Sequence, residues 1–244
     1  MLRVRHRIPD PLPRRNGPLS TQTGLEPAAS GWESRAAGLV LAGGRSTRIG
    51  TDKAQLQLHG QPLAALALAT LRQSGLSAAF AGGNPSLSRL APIIEDPLAL
   101  GPLSGICSAL ASTKSDLSLF LPVDLPLLPP LLLTCLLRHT VITHAPITVT
   151  SVSGFPQTFP SVIHRSALPT LERELEARRL GCFSAFQAAA AALATPLSVL
   201  PVEYLLQAGQ IAHPASLPAA WWYLNINTPA DLARAQLRSQ SLFA

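Results

Sequence analysis

Leu41-Ala42-Gly43-Gly44-Arg45-Ser46-Thr47-Arg48-Ile49-Gly50-Thr51-Asp52-Lys53 is the stretch whose reading decides how this chain folds. It continues a short apolar run, Gly38 to Ala42, that has the character of a buried strand. Glycines let the backbone come close to a ligand, and successive N–H groups can then surround phosphate oxygens. Arg45, Arg48 and Lys53 add three cations to the same loop. A strand, a glycine-rich turn and fixed positive charge together form a seat for a nucleoside triphosphate. Two familiar glycine loops are excluded by spacing. A G-x-x-x-x-G-K-[ST] loop needs Lys after the last glycine, where Gly50 is followed by Thr51, and G-x-G-x-x-G is absent.

Strand and helix signals alternate outward from this loop. Helices are expected over 62–73, from 101 to about 112, over 127–139, 168–179 and 184–194, and over 230–237 with Thr228 as N-cap and Pro229 at the first position. Strands are expected over 77–81, 92–94, 116–123, 147–150, 161–164 and 222–226, with Gly154-Phe155-Pro156 as a turn. This alternation predicts an α/β fold: one three-layer α/β/α domain with a mostly parallel, Rossmann-like sheet. Ligands of such sheets gather at the carboxyl ends of the strands. The glycine loop, Asn84, Asp96 and Asp124 all follow expected strand ends, so they can share one edge.

Composition narrows the function further. The chain has 244 residues, of which 47% are hydrophobic and 13% charged, enough for a large core. Its richest apolar stretch, Leu117 to Leu133, is interrupted by Asp124 and four prolines, which argues against a membrane span. Cys107, Cys135 and Cys182 are odd in number and lack C-x-x-C spacing, which argues against a disulfide framework or a zinc site. Residues 1–36 carry six arginines against three carboxylates, half of the chain's net charge of +6. Their prolines break any helix, and they contain no secretory apolar core and no aromatic interleaving for nucleic acid. They are read as a disordered leader or an over-called start, with the domain over 37–240. Neither a nucleic-acid nor a membrane partner is expected, and the location expected is cytoplasmic.

Asp124, in Leu121-Pro122-Val123-Asp124-Leu125-Pro126, places a carboxylate at the end of an apolar strand. Such a group is costly unless solvated or coordinating, and Mg²⁺ takes one or two carboxylates plus substrate phosphates. The alternative is a helix N-cap. With a phosphate loop upstream, metal ligation is the stronger reading.

The whole string resembles the signature of nucleotidyltransferases of the molybdenum cofactor guanylyltransferase (MobA-like) family: LAGG, a short linker, R-[MI]-G, DK and L-x-L-x-G-x-P-L. Here the match continues through Leu56-Gln57-Leu58-His59-Gly60-Gln61-Pro62-Leu63, and later motifs keep family order: Gly82-Gly83-Asn84, Ile94-Glu95-Asp96, Gly101-Pro102-Leu103-Ser104-Gly105 and Asn225-Ile226-Asn227-Thr228-Pro229. The resemblance implies nucleotide contacts from Leu41, Ala42, Gly43, Gly44, Lys53, Asn84, Asp96 and Asp124. It implies catalytic roles for Arg48, Lys53 and Asp124, with Asp124 on Mg²⁺ and Asn227 positioning the metal or the acceptor phosphate. Two departures weaken the acceptor half: Pro156 to Pro160 matches only loosely, and Ala230 replaces a usual acidic residue.

The reaction the resemblance implies is transfer of GMP from GTP to the phosphate of molybdopterin, with pyrophosphate released. A molybdoenzyme or a cofactor-delivery protein is a further partner of such a reaction. Related cytidylyltransferases tend to carry LAAG where this chain has LAGG, and Gly43 leaves room for a purine. Cytidylyl transfer, another nucleotidyl transfer on the same fold, and a nucleotide-binding carrier without catalysis stay open as alternatives.

Overall fold

The computed structural model describes residues 35–43 and 52–240. The β-strands are β1 (Ala36–Leu41), β2 (Gln57–Leu58), β3 (Gln61–Pro62), β4 (Ser77–Ala81), β5 (Ile93–Ile94), β6 (Leu117–Pro122), β7 (Ile147–Val152), β8 (Phe155–His164) and β9 (Ser198–Pro201). The α-helices are α1 (Leu63–Gln73), α2 (Pro102–Ser112), α3 (Pro130–Thr143), α4 (Leu168–Glu176), α5 (Cys182–Ala192), α6 (Val202–Gln207), α7 (Ala219–Trp222) and α8 (Pro229–Arg238).

Seven strands form one sheet in the order β5-β4-β1-β6-β8-β7-β9, with only β8 antiparallel to its neighbours. β2 and β3 form a small separate hairpin. Side chains alternate across the sheet with the period of two that a pleated strand imposes. Val40, Phe80, Leu119, Leu121 and Val162 face a core built with α1 and α3. Leu39, Leu41, Ala81, Phe120 and Ile163 face a second core built with α2, α4 and α5. The expected three layers are therefore present. Gly38 permits the tight fit of β1 against α1, since a Cβ there would lie 3.2 Å from Leu76 Cβ and 3.3 Å from Leu71 Cβ.

Three expectations need correcting. Residues 222–226 are not a strand: Ala219–Trp222 is helical and the chain then runs irregularly to α8. Trp222 is fully buried and its indole N–H donates to Leu217 O at 2.8 Å, so side-chain burial rather than a ladder anchors this segment. α3 begins at Pro130 rather than Leu127, because Pro129 and Pro130 hold the preceding residues out of helical geometry. The β7–β8 turn is Ser153-Gly154, and Phe155 and Pro156 already pair with Val152 and Ser151. Farther along β8, Thr158, Phe159 and Pro160 have no partner on β7, where the register shifts between Val149 and Thr150. The sequence reading also passed over β9 and α6.

Candidate functional site

Parallel pairing aligns the strand ends that matter. Leu41 sits opposite Ala81 on one side and Pro122 on the other, and Ala81 sits opposite Ile94. Ala42-Gly43, Gly82-Gly83-Asn84, Glu95-Asp96 and Val123-Asp124 therefore leave the sheet at one edge, as expected. α1 and α2 cover opposite faces, so the strand order reverses between the parallel neighbours β1 and β6, the crevice where open α/β sheets bind ligands. Val123 N–H donates to Leu41 O at 3.2 Å and closes that crevice at its base. Leu41 is buried, Ala42 is half-buried and Gly43 is exposed at the mouth. Gly44 and Arg48 lie outside the described residues.

Lys53 is set by its own short turn. Asp52 caps the 3-10 helix Lys53–Gln55 by accepting the Ala54 N–H at 3.0 Å. From there the Lys53 ammonium donates to Asp124 Oδ2 at 3.1 Å and to Asn227 Oδ1 at 2.5 Å. Three residues separated by up to 174 positions thus meet at one point. Asp124 is not a helix N-cap, since α3 begins six residues later behind Pro129. Its backbone O accepts the Ile226 N–H at 3.0 Å, which docks the Asn225–Thr228 segment beside it. The Lys53 and Asp124 side chains are 25% and 20% exposed, so the pair is partly desolvated yet open to a ligand.

Asn227 is held in turn by Asp231. Asp231 Oδ2 accepts the Asn227 N–H at 3.2 Å and the Thr228 hydroxyl at 2.8 Å, while Thr228 Oγ1 caps α8 through the Asp231 N–H. The Arg234 guanidinium first, then Thr228, holds the Asp231 carboxyl down at about 2. A carboxylate at 231 thus orients the N-terminal end of α8, one place beyond the alanine noted in the sequence. Its signal was present as the Thr228-x-x-Asp231 capping pattern.

Asp96 and Asn84 are both engaged locally. Asn84 Oδ1 accepts the Ser86 N–H at 2.9 Å and caps the 3-10 helix Pro85–Arg89. Asp96 Oδ1 accepts the Ala99 N–H at 3.2 Å and Oδ2 accepts the Ser104 hydroxyl at 2.6 Å. Each carboxylate oxygen keeps acceptor capacity beyond these bonds. Gly82, Gly83 and Gly105 surround the mouth. Gly83 has φ +114 and would place a Cβ 3.0 Å from Ala42 Cβ, so this backbone crossing requires glycine.

Two oxygen donors, the Asp124 carboxylate and the Asn227 amide O, already converge on one cation, the Lys53 ammonium. Such hard donors suit Mg²⁺. Among the described residues no group of three or more His, Cys, Asp or Glu could hold a metal. A cation here would therefore depend on substrate phosphates and water for its remaining ligands, as Mg²⁺ commonly does. Burial pushes the Cys107 thiol up to about 12 and the Cys182 thiol up to about 11, which disfavours the thiolate form of both. Among the described residues no helix is long and apolar enough to cross a membrane.

A glycine-lined crevice at the switch point of a mostly parallel sheet, closed by a lysine, an aspartate and an asparagine, defines a nucleotidyltransferase-type α/β domain. The model of the MobA-like NTP transferase domain matches residues 38–193, and the chain belongs to that family. It is 45% identical over 102 residues to a molybdenum cofactor guanylyltransferase of Xanthomonas euvesicatoria pv. vesicatoria, a match covering 41% of this chain and 52% of that protein. The chain thus spans about half the length of that relative. A probable molybdenum cofactor guanylyltransferase of Chloroflexus aggregans is 30% identical over 220 residues, covering 82% of this chain and 92% of that one. Among solved structures, molybdopterin-guanine dinucleotide biosynthesis protein A of Archaeoglobus fulgidus superposes with a TM-score of 0.67 at 21% identity, over 84% of this chain and 98% of that chain. At that identity the likeness speaks for the fold alone.

Proposed function

We propose that the chain is an enzyme that transfers GMP from GTP to the phosphate of molybdopterin and releases pyrophosphate. The observation that carries this reading is the convergence of Lys53, Asp124 and Asn227 at the β1/β6 crevice of a MobA-like domain. The acceptor is a phosphate already ionised at neutral pH, so the site needs no general base. Its work is positioning and charge neutralisation at the α-phosphorus.

The chain's own groups divide that work. The backbone of Leu41 to Gly44 approaches the nucleotide, and Lys53, with Arg48 from the same loop, neutralises phosphate charge. Asp124 and Asn227 would hold Mg²⁺, which supplies Lewis-acid stabilisation of the charge that develops on the phosphoryl oxygens. Asp52 and Asp231 keep Lys53 and Asn227 oriented before substrate arrives, so little reorganisation is left for the chemical step. Gly43 leaves the mouth open to a purine, and Asp96 and Asn84 read its edge. A cytoplasmic location and transfer of the product to a molybdoenzyme or delivery protein accord with this reading.

The test is Asp124→Asn. It keeps the shape and one oxygen but removes the charge that balances Lys53. Losing one preorganised electrostatic element costs about 10²–10³ in kcat, with the fold retained by circular dichroism. Turnover near the unmodified rate would remove Asp124 from the mechanism.

A further inference from the structure

We propose that Ser104 is a positioning residue that sets base selection by fixing Asp96 as an oriented double acceptor. The proposal rests on the reading that Asp96 contacts the guanine edge. Ser104 is fully buried in the first turn of α2, within Gly101-Pro102-Leu103-Ser104-Gly105. Its Oγ lies 2.6 Å from Asp96 Oδ2 and 2.9 Å from Gly101 O, and it accepts the Leu100 N–H at 2.9 Å.

A hydroxyl has one hydrogen to give. The shorter contact to a carboxylate takes it, because a charge-assisted O–H···O⁻ bond is roughly twice as strong as a neutral one. Leu100 N–H, the Ser104 hydroxyl and the Asp96 carboxylate therefore form a chain in which each donor is polarised by the one before. The Ala99 N–H holds the second oxygen, from a turn in which Ala99 takes φ +46. Both oxygens are thus tethered by the 97–104 segment.

Two glycines pass close to the same carboxylate. A Cβ at Gly82 would stand 3.5 Å from Asp96 Cβ, and one at Gly105 would stand 3.8 Å from Asp96 Oδ2. Neither flank adds a side chain, so the remaining lone pairs stay accessible. A serine needed only to start α2 would be satisfied by Gly101 O. The short bond to Asp96 serves a different end: it fixes an acceptor pair that fits two adjacent N–H donors on a base and discriminates against an edge with one.

GTP and ITP separate the roles, since inosine keeps the N1–H of guanine and lacks the 2-amino group. Binding of each, with Mg²⁺, is measured by calorimetry on the full chain, its Ser104→Ala and Ser104→Cys variants, and Asp96→Asn. The unmodified protein is expected to prefer GTP by tenfold or more. Ser104→Ala weakens GTP by about five- to twentyfold and ITP far less, so the preference collapses toward unity. Ser104→Cys, close in size with a weaker donor, falls between. If Asp96→Asn abolishes the preference while both Ser104 variants keep it, even at a lowered thermal midpoint, Ser104 is merely structural and the proposal is overturned. If Asp96→Asn leaves the preference intact, the guanine reading of Asp96 fails and takes the proposal with it.

Discussion

Replacing Gly43 by alanine separates the demands of the fold from those of the ligand. Among the described residues, a Cβ at Gly43 would meet nothing nearer than Gly83 N at 3.9 Å and Ala81 O at 4.0 Å, ordinary van der Waals distances. Gly43 is also outside the left-handed region, so alanine is not strained there. The substitution is therefore neutral to stability, or stabilising by up to about 1 kcal/mol through the unfolded chain. The methyl stands instead at the exposed strand-end edge, on the side of β1 that faces the end of β4. If a purine lies there, the added methyl overpacks it at about 1–3 kcal/mol, which corresponds to a five- to 150-fold loss of GTP affinity. CTP, with its smaller ring, should lose less than threefold. Calorimetry with Mg·GTP and Mg·CTP, beside a thermal melt, reads both quantities. Equal losses for the two nucleotides, or none for GTP, would refute the purine-room argument. A melt lowered by many degrees would refute the geometry beneath it.

Gly38→Ala should behave in the opposite way. Its Cβ would press on Leu71, Leu76 and the Ser77 carbonyl at 3.2–3.3 Å, costing about 1–3 kcal/mol and several degrees in thermal midpoint, with GTP affinity kept. Asp231→Asn should lower GTP turnover by loosening Asn227. Because the Asp231 carboxyl is depressed to about 2 by Arg234 and Thr228, its contribution to stability is present above about pH 4 and is lost as pH falls toward 2. The acid-melting profile of the variant should therefore differ from that of the unmodified protein in the neutral range and converge with it near pH 2.

How much of this was legible in the sequence depends on how local the cause is. β1, β4, α2 and α8 are specified by short signals: an apolar run into glycines, Gly101-Pro102 at a helix start, Thr228-Pro229 at another. These were read to within a residue or two. The 222–226 segment was misread because Trp222-Tyr223-Leu224 is a short apolar run, which periodicity alone cannot assign to strand or helix. β9 escaped because only Leu200 of its four residues is buried, leaving no alternation to detect.

The edge shared by Ala42-Gly43, Asn84, Asp96 and Asp124 followed from fold class, since parallel strands present their carboxyl ends together. The meeting of Lys53 with Asn227 did not, because a tertiary contact across 174 positions leaves no spacing in the chain. Ser104 and Asp231 were also missed as supports. Each acts through another side chain, and helix-start patterns show that such residues cap a turn without showing what else they hold.

The most direct test of the central claim is pyrophosphate release with a labelled α-phosphate. The chain is incubated with Mg²⁺, molybdopterin and α-labelled GTP or CTP. The account expects label to pass from GTP into the pterin product in a one-to-one ratio with pyrophosphate, with CTP slower by tenfold or more. Equal rates with CTP would contradict the guanylyl assignment, and absence of pyrophosphate with both nucleotides would contradict nucleotidyl transfer itself.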